Sequence, residues 1–179
     1  MGAMTFRLGF VTGATPDKWA GTWRAREREG IELVPLAPEA QEHGLREGVL
    51  DMALVRLPVD RDGLHLIPLY EELPVAVMNV ENELTLLDEV STEELAGEHQ
   101  DWTGLTPREI VETVGAGTGV WVAPMSIARL HRRKDVTYRT VTDVPSTQVG
   151  LAWLVDNDDE RIQTFIGIVR GRTARSSRG

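Results

Sequence analysis

Two short stretches carry residues that together could hold an anion. In FRLGFVTGATP (6–16), the apolar run Phe6–Val11 gives way to Thr12-Gly13-Ala14 and then to Thr15-Pro16-Asp17. A strand, a small-residue turn and a proline at the first helical position predict a helix N-terminus just past a strand's carboxyl end. Unsatisfied N–H groups and the helix dipole make such a corner receptive to negative charge. Thr12 and Thr15 would add hydroxyls, and Gly13 and Ala14 would let a ligand approach the backbone closely. In DMALVRLP (51–58), the apolar run Met52–Val55 stops at Arg56, whose forked guanidinium can take a carboxylate bidentately. The competing roles are an ion pair of Arg56 with Glu71 or Asp60, and an ordinary turn and helix cap for Thr12 to Thr15.

Other chemistry is excluded by context. The run Gly115-Ala116-Gly117-Thr118-Gly119 follows a predicted helix and precedes a predicted strand, the reverse of a dinucleotide fingerprint, and no P-loop is present, so a structural turn is expected. Asp156-Asn157-Asp158-Asp159-Glu160 lacks the central glycine and terminal glutamate of a calcium loop and reads as acidic residues at a helix start. His43, His65, His99 and His131 are far apart, and with no cysteine there is neither a metal-ligand spacing nor thiol chemistry, so no metal or other cofactor is expected. No Gly-x-Ser-x-Gly elbow occurs.

The elements that must position Arg56 and the Thr12 turn follow from hydrophobic periodicity. Strands are predicted at 6–11, 31–36 and 52–55, separated by helices at about 16–29 and 39–47, each closed by a glycine. Alternating strands and helices imply parallel strands with right-handed crossovers, which bring the three strand ends to one edge of the sheet. Further strands are predicted at 64–70, 73–78, 120–123, 136–141 and 149–155. Ser91-Thr92-Glu93-Glu94 and Thr106-Pro107-Arg108-Glu109 are capping boxes, and short helices are expected at 124–130 and 158–169.

FRLGFVTGATP, LREGVLDMALVRLP, LHLIPLYEELPVAVM and VGAGTGVWVAPMSIARL resemble, in their order and spacing, the effector-binding domain of LysR-type transcriptional regulators. The resemblance implies an α/β, two-lobed fold of the type 2 periplasmic-binding-protein kind. Lobe one would comprise 5–72 and 146–170 and lobe two 73–145, with a flexible tail over 171–179. Only Thr103-Gly104-Leu105 stands where the family has a further helix and strand, so the second lobe is expected to be abridged. By resemblance Met125 and Ser126 belong at the ligand cleft. Trp102 either faces that cleft or covers the abridged core, and Ser126 could instead be a simple N-cap. The implied function is that of a sensor: a small-molecule effector, a carboxylate or similar anion, binds between the lobes and favours one of two arrangements.

Composition bounds the partners. A formal net charge of -9 and the lack of a recognition helix argue against direct DNA binding by this chain, despite basic clusters at 131–134 and 170–178. The family's winged helix-turn-helix is missing from these 179 residues, which makes the chain either a fragment or a stand-alone regulator. No run is long enough for a membrane helix, and the absence of cysteine suits the cytoplasm. A homodimer is expected, with Trp19 and Trp23 one turn apart on the first helix as its marker. The alternatives are a dimerisation or interaction module with a reduced cleft and, on the same fold, an enzyme.

Overall fold

A computed structural model describes residues 5–98 and 100–172. His99 and most of the tail from 171 to 179 therefore lie outside the described residues. The chain divides into two compact units, 1–70 with 148–179 and 71–147.

The first unit is built on a five-stranded sheet of order β2-β1-β3-β9-β4, with β1 Phe6–Val11, β2 Ile31–Leu36, β3 Met52–Arg56, β4 Leu64–Glu72 and β9 Thr147–Leu154. β1 runs parallel to β2 and β3, as the crossover argument requires, and β9 returns antiparallel to β3. Successive side chains of a strand point to opposite faces, and the buried strands divide accordingly. Met52 and Leu54 join Phe6, Leu8 and Leu151 on one face, under helices α1 (Asp17–Arg26) and α6 (Glu160–Val169). Ala53, Val55 and Ala152 join Leu45 and Leu50 on the other, under the short α2 (His43–Arg46).

Two expectations are corrected here. The helix foreseen over 39–47 is a 3-10 turn, Pro38–Ala40, followed by the four-residue α2, because Gln41 between them turns inward to bond a neighbouring strand. Trp23 belongs to the core and does not mark an interface: it is 1% exposed, stacks on Phe6 with ring centroids 4.7 Å apart, and donates its indole N–H to the Glu29 carbonyl at 2.8 Å. Trp19 packs against the same cluster.

The acidic run before α6 acts as foreseen. Asp159 accepts the Arg161 backbone N–H at 2.9 Å as N-cap and also binds the Arg161 guanidinium at 2.7 Å. The hydrogen bonds from that guanidinium hold the Asp159 carboxyl below the usual carboxylate range. A depressed folded pKa stabilises above the unfolded value of about 3.9 and is lost as pH falls through the folded one. Asp159→Ala should therefore lower the unfolding free energy by about 1–2 kcal/mol at neutral pH. The difference from wild type in urea melts should shrink below about pH 4.

The second unit has a four-stranded sheet of order β6-β8-β5-β7. β5 (Pro74–Asn79) lies antiparallel to β7 (Trp121–Pro124) and β8 (Val136–Val141), and the two-residue β6 (Glu89–Val90) is parallel to β8. β5 again alternates: Ala76 and Met78 meet Val90, Leu95 and Val141 on one face. Val75 and Val77 meet Ile110, Val114 and Ala128 on the other, below α4 (Pro107–Gly115) and α5 (Met125–Leu130), while the remaining helix, α3, is the single turn Thr92–Leu95. The capping box at Thr106 forms in both directions, its hydroxyl accepting from Glu109 N–H at 3.2 Å and the Glu109 carboxylate from Thr106 N–H at 2.8 Å. The glycine run after α4 is a structural turn, with Gly117 and Gly119 at φ of 93° and 73°. A Cβ at Gly119 would also meet the Trp102 ring at 3.1 Å, so glycine is required there for space as well as conformation.

Candidate functional site

Arg56 is the last residue of β3, beside the end of β1 to which β3 is paired. Its position is fixed from two sides. The buried Gln41 clamps the backbone: its side-chain oxygen accepts the Arg56 N–H at 2.6 Å and its amide nitrogen donates to the Arg56 carbonyl at 3.0 Å. The side chain in turn donates from Nη1 to the Thr12 carbonyl at 3.0 Å, which orients the guanidinium at the end of β1. The carboxylates considered as its partners are engaged elsewhere, Asp60 with Arg46 and Glu71, in the other unit, with the Ser146 hydroxyl.

The Thr12 turn is built tightly. Both the N–H and the hydroxyl of Thr12 donate to the Leu36 carbonyl at 3.3 Å, which ties the end of β1 to the end of β2. Gly13 takes φ 92°, a conformation that glycine alone adopts readily, and Ala14 N–H closes the turn on the Val11 carbonyl at 3.0 Å. Thr15 is exposed and makes no side-chain cap; the N-cap position is Pro16, one residue later than the sequence suggests, and α1 starts at Asp17. The corner thus assembles a fixed guanidinium, a glycine turn and the start of a ten-residue helix within one unit. Asp17 in the first helical turn offsets part of the helix's positive end, which leaves Arg56 as the dominant cationic element.

The residues expected from the second unit have clear local roles. The Trp102 indole donates to the Val120 carbonyl at 3.3 Å and its ring packs over Gly119 and the Val75–Ile110–Val114 cluster, so within its own unit it covers the core. Met125 packs on that cluster too, and its N–H donates to the Leu73 carbonyl at 3.0 Å. Ser126 is not an N-cap, since Pro124 holds that position; its hydroxyl donates to the buried Glu72 carboxylate. Gln41 and Glu72 are the polar side chains that the sequence did not single out. Nothing in their local sequence marks them, because their partners are 15 and 54 residues away. Among the described residues no group of three or more acidic or histidine side chains could hold a metal, and no helix is long and apolar enough to cross a membrane.

Comparison with known proteins agrees with this architecture. The model of the LysR substrate binding domain matches residues 28–107. The Hca operon transcriptional activator HcaR of Escherichia coli K12 is 27% identical over an alignment spanning 93% of this chain and 67% of that protein. Among solved structures, a regulatory-domain variant of OxyR from Pseudomonas aeruginosa superposes with a TM-score of 0.75 at 20% identity, covering 96% of this chain and 99% of that one. Full-length BenM gives 0.76 at 18% identity, covering 95% and 69%. These likenesses establish the two-sheet fold of LysR regulatory domains.

Proposed function

From the premise that the chain is a LysR-type effector-binding domain in sequence and fold, we propose that it senses a small organic anion, most simply a carboxylate, at the Arg56 corner. The observation that carries the reading is the double fixation of Arg56, its backbone by Gln41 and its guanidinium by the Thr12 carbonyl. A cation held so firmly is organised before a ligand arrives, which lowers the entropy lost on binding. Thr12, Gly13, Ala14 and Thr15 form the adjoining wall of the proposed site. Trp102, Met125 and Ser126 stay proposed as further ligand contacts, Met125 and Ser126 on the family resemblance. Regulation of transcription, and pairing of two copies, belong to the same proposal; the HcaR likeness supports the first.

The test is a thermal-shift and calorimetric screen of small carboxylates against their methyl esters. Acids that raise the melting temperature while their esters do not are the expected result. Equal shifts for acid and ester would sink the anion reading.

A further inference from the structure

The second unit holds a different cationic feature. Its α5 and β8 are joined by His131-Arg132-Arg133-Lys134-Asp135, and this turn borders a cavity of about 840 Å³ whose described lining residues all belong to that unit. The floor is apolar, offered by the accessible Val80, just past β5, and Val136 of β8, with the buried Val77 and Ala128 also in the lining. The rim is basic, made by Arg129, Arg132, Arg133 and Lys134, and among the described residues no carboxylate lines the space.

The rim cations are differently committed. Arg133 is spent on Asp135, which it grips at 2.9 and 3.0 Å. Arg129 is steadied by the Tyr138 hydroxyl, to which its Nε donates at 3.2 Å. Arg132 and Lys134 are exposed and have no hydrogen-bond or ion-pair partner among the described residues. An adjoining cavity of about 210 Å³ shares Arg132 and Arg133 and adds His131 and Arg108, the latter paired with Glu112 at 3.3 Å. In a chain of formal net charge -9 this is a local inversion of sign around a concave space of ligand size.

We propose that this cavity is a second ligand site, independent of the Arg56 corner, for an amphipathic organic anion: a phosphate or paired carboxylates at Arg132 and Lys134, and an apolar body on the Val80 and Val136 floor. Concavity and floor decide against a nucleic-acid backbone, which would use the cations and leave the apolar surface idle. The four rim cations also sit on one helix end and turn and do not form an extended track.

The experiment titrates the whole chain by calorimetry with 1-naphthyl phosphate, inorganic phosphate and 1-naphthol. The naphthyl phosphate is expected to bind at least about tenfold more tightly than either part alone, because only it uses floor and rim together. The double variant R132E/K134E, both exposed, should weaken it by at least about tenfold with an unchanged melting transition, the loss of one charge-assisted bond or more. Arg56→Ala should leave it unaffected. Equal weakening by Arg56→Ala, or no weakening in the double variant, would overturn the proposal. So would salt-sensitive binding of random duplex DNA that the double variant loses while naphthyl phosphate fails to bind.

Discussion

Trp23→Ala should lower the unfolding free energy of the chain by about 3–5 kcal/mol, the range for deleting a large buried aromatic. The indole is 1% exposed between Phe6 of β1 and Phe165 of α6, with ring centroids at 4.7 and 6.3 Å. Those two rings also meet each other at 5.7 Å, so removing the indole opens a void in the middle of a three-ring stack. The Glu29 carbonyl loses its indole donor as well. Against a typical domain stability of about 5–15 kcal/mol, this loss should be evident as a large drop in urea midpoint. Trp23→Phe keeps a ring and should recover more than half of it. The measurement also separates core from interface. If Trp23 lay between two copies, the variant would dissociate in light scattering while its melting transition stayed near that of the wild type. A core residue gives the opposite pattern.

That prediction reverses what the first helix suggested by itself. DKWAGTWRAR offers two tryptophans on an otherwise polar helix, and a lone aromatic pair reads equally well as core or as interface. The choice is made by Phe6 and Phe165, which no local pattern connects to Trp23. Where periodicity is the whole signal, the sequence was a good guide. The strands at Phe6–Val11, Ile31–Leu36 and Val136–Val141 stand where alternation put them, and Arg56 ends β3 because the apolar run ends there. The Thr106 capping box likewise depends on residues three apart. What escaped was non-local. The Gln41 clamp lies in a segment whose composition favours a continuous helix. A glutamine that leaves the helical ladder to satisfy a strand end can be found only when that strand is in place. Ser126 is not the N-cap that its place at the start of α5 allowed, since its partner is a buried glutamate at the end of β4 and not its own helix.

The Gln41 clamp makes Arg56→Ala an unusually clean experiment. Both Gln41 bonds go to the backbone N–H and carbonyl of residue 56, so truncating the side chain leaves the strand end anchored. Within the first unit the truncation removes the side-chain bond to the Thr12 carbonyl, at a half-buried position where water can replace the donor. Folding should therefore change little. If the guanidinium holds the effector's carboxylate, the variant should bind it about 1.5–3 kcal/mol more weakly, roughly a 10- to 150-fold rise in Kd. Arg56→Lys sharpens the reading, because an ammonium keeps the charge but cannot offer the planar fork. A bidentate contact predicts that lysine recovers only part of the affinity, whereas general attraction to positive charge predicts nearly full recovery. Calorimetry of the three proteins with one carboxylate from the screen, and with its methyl ester as control, supplies both comparisons. Unchanged affinity in Arg56→Ala would return Arg56 to a purely structural role, a bond that ties the end of β3 to the turn after β1. The anion would then have to be sought at another site.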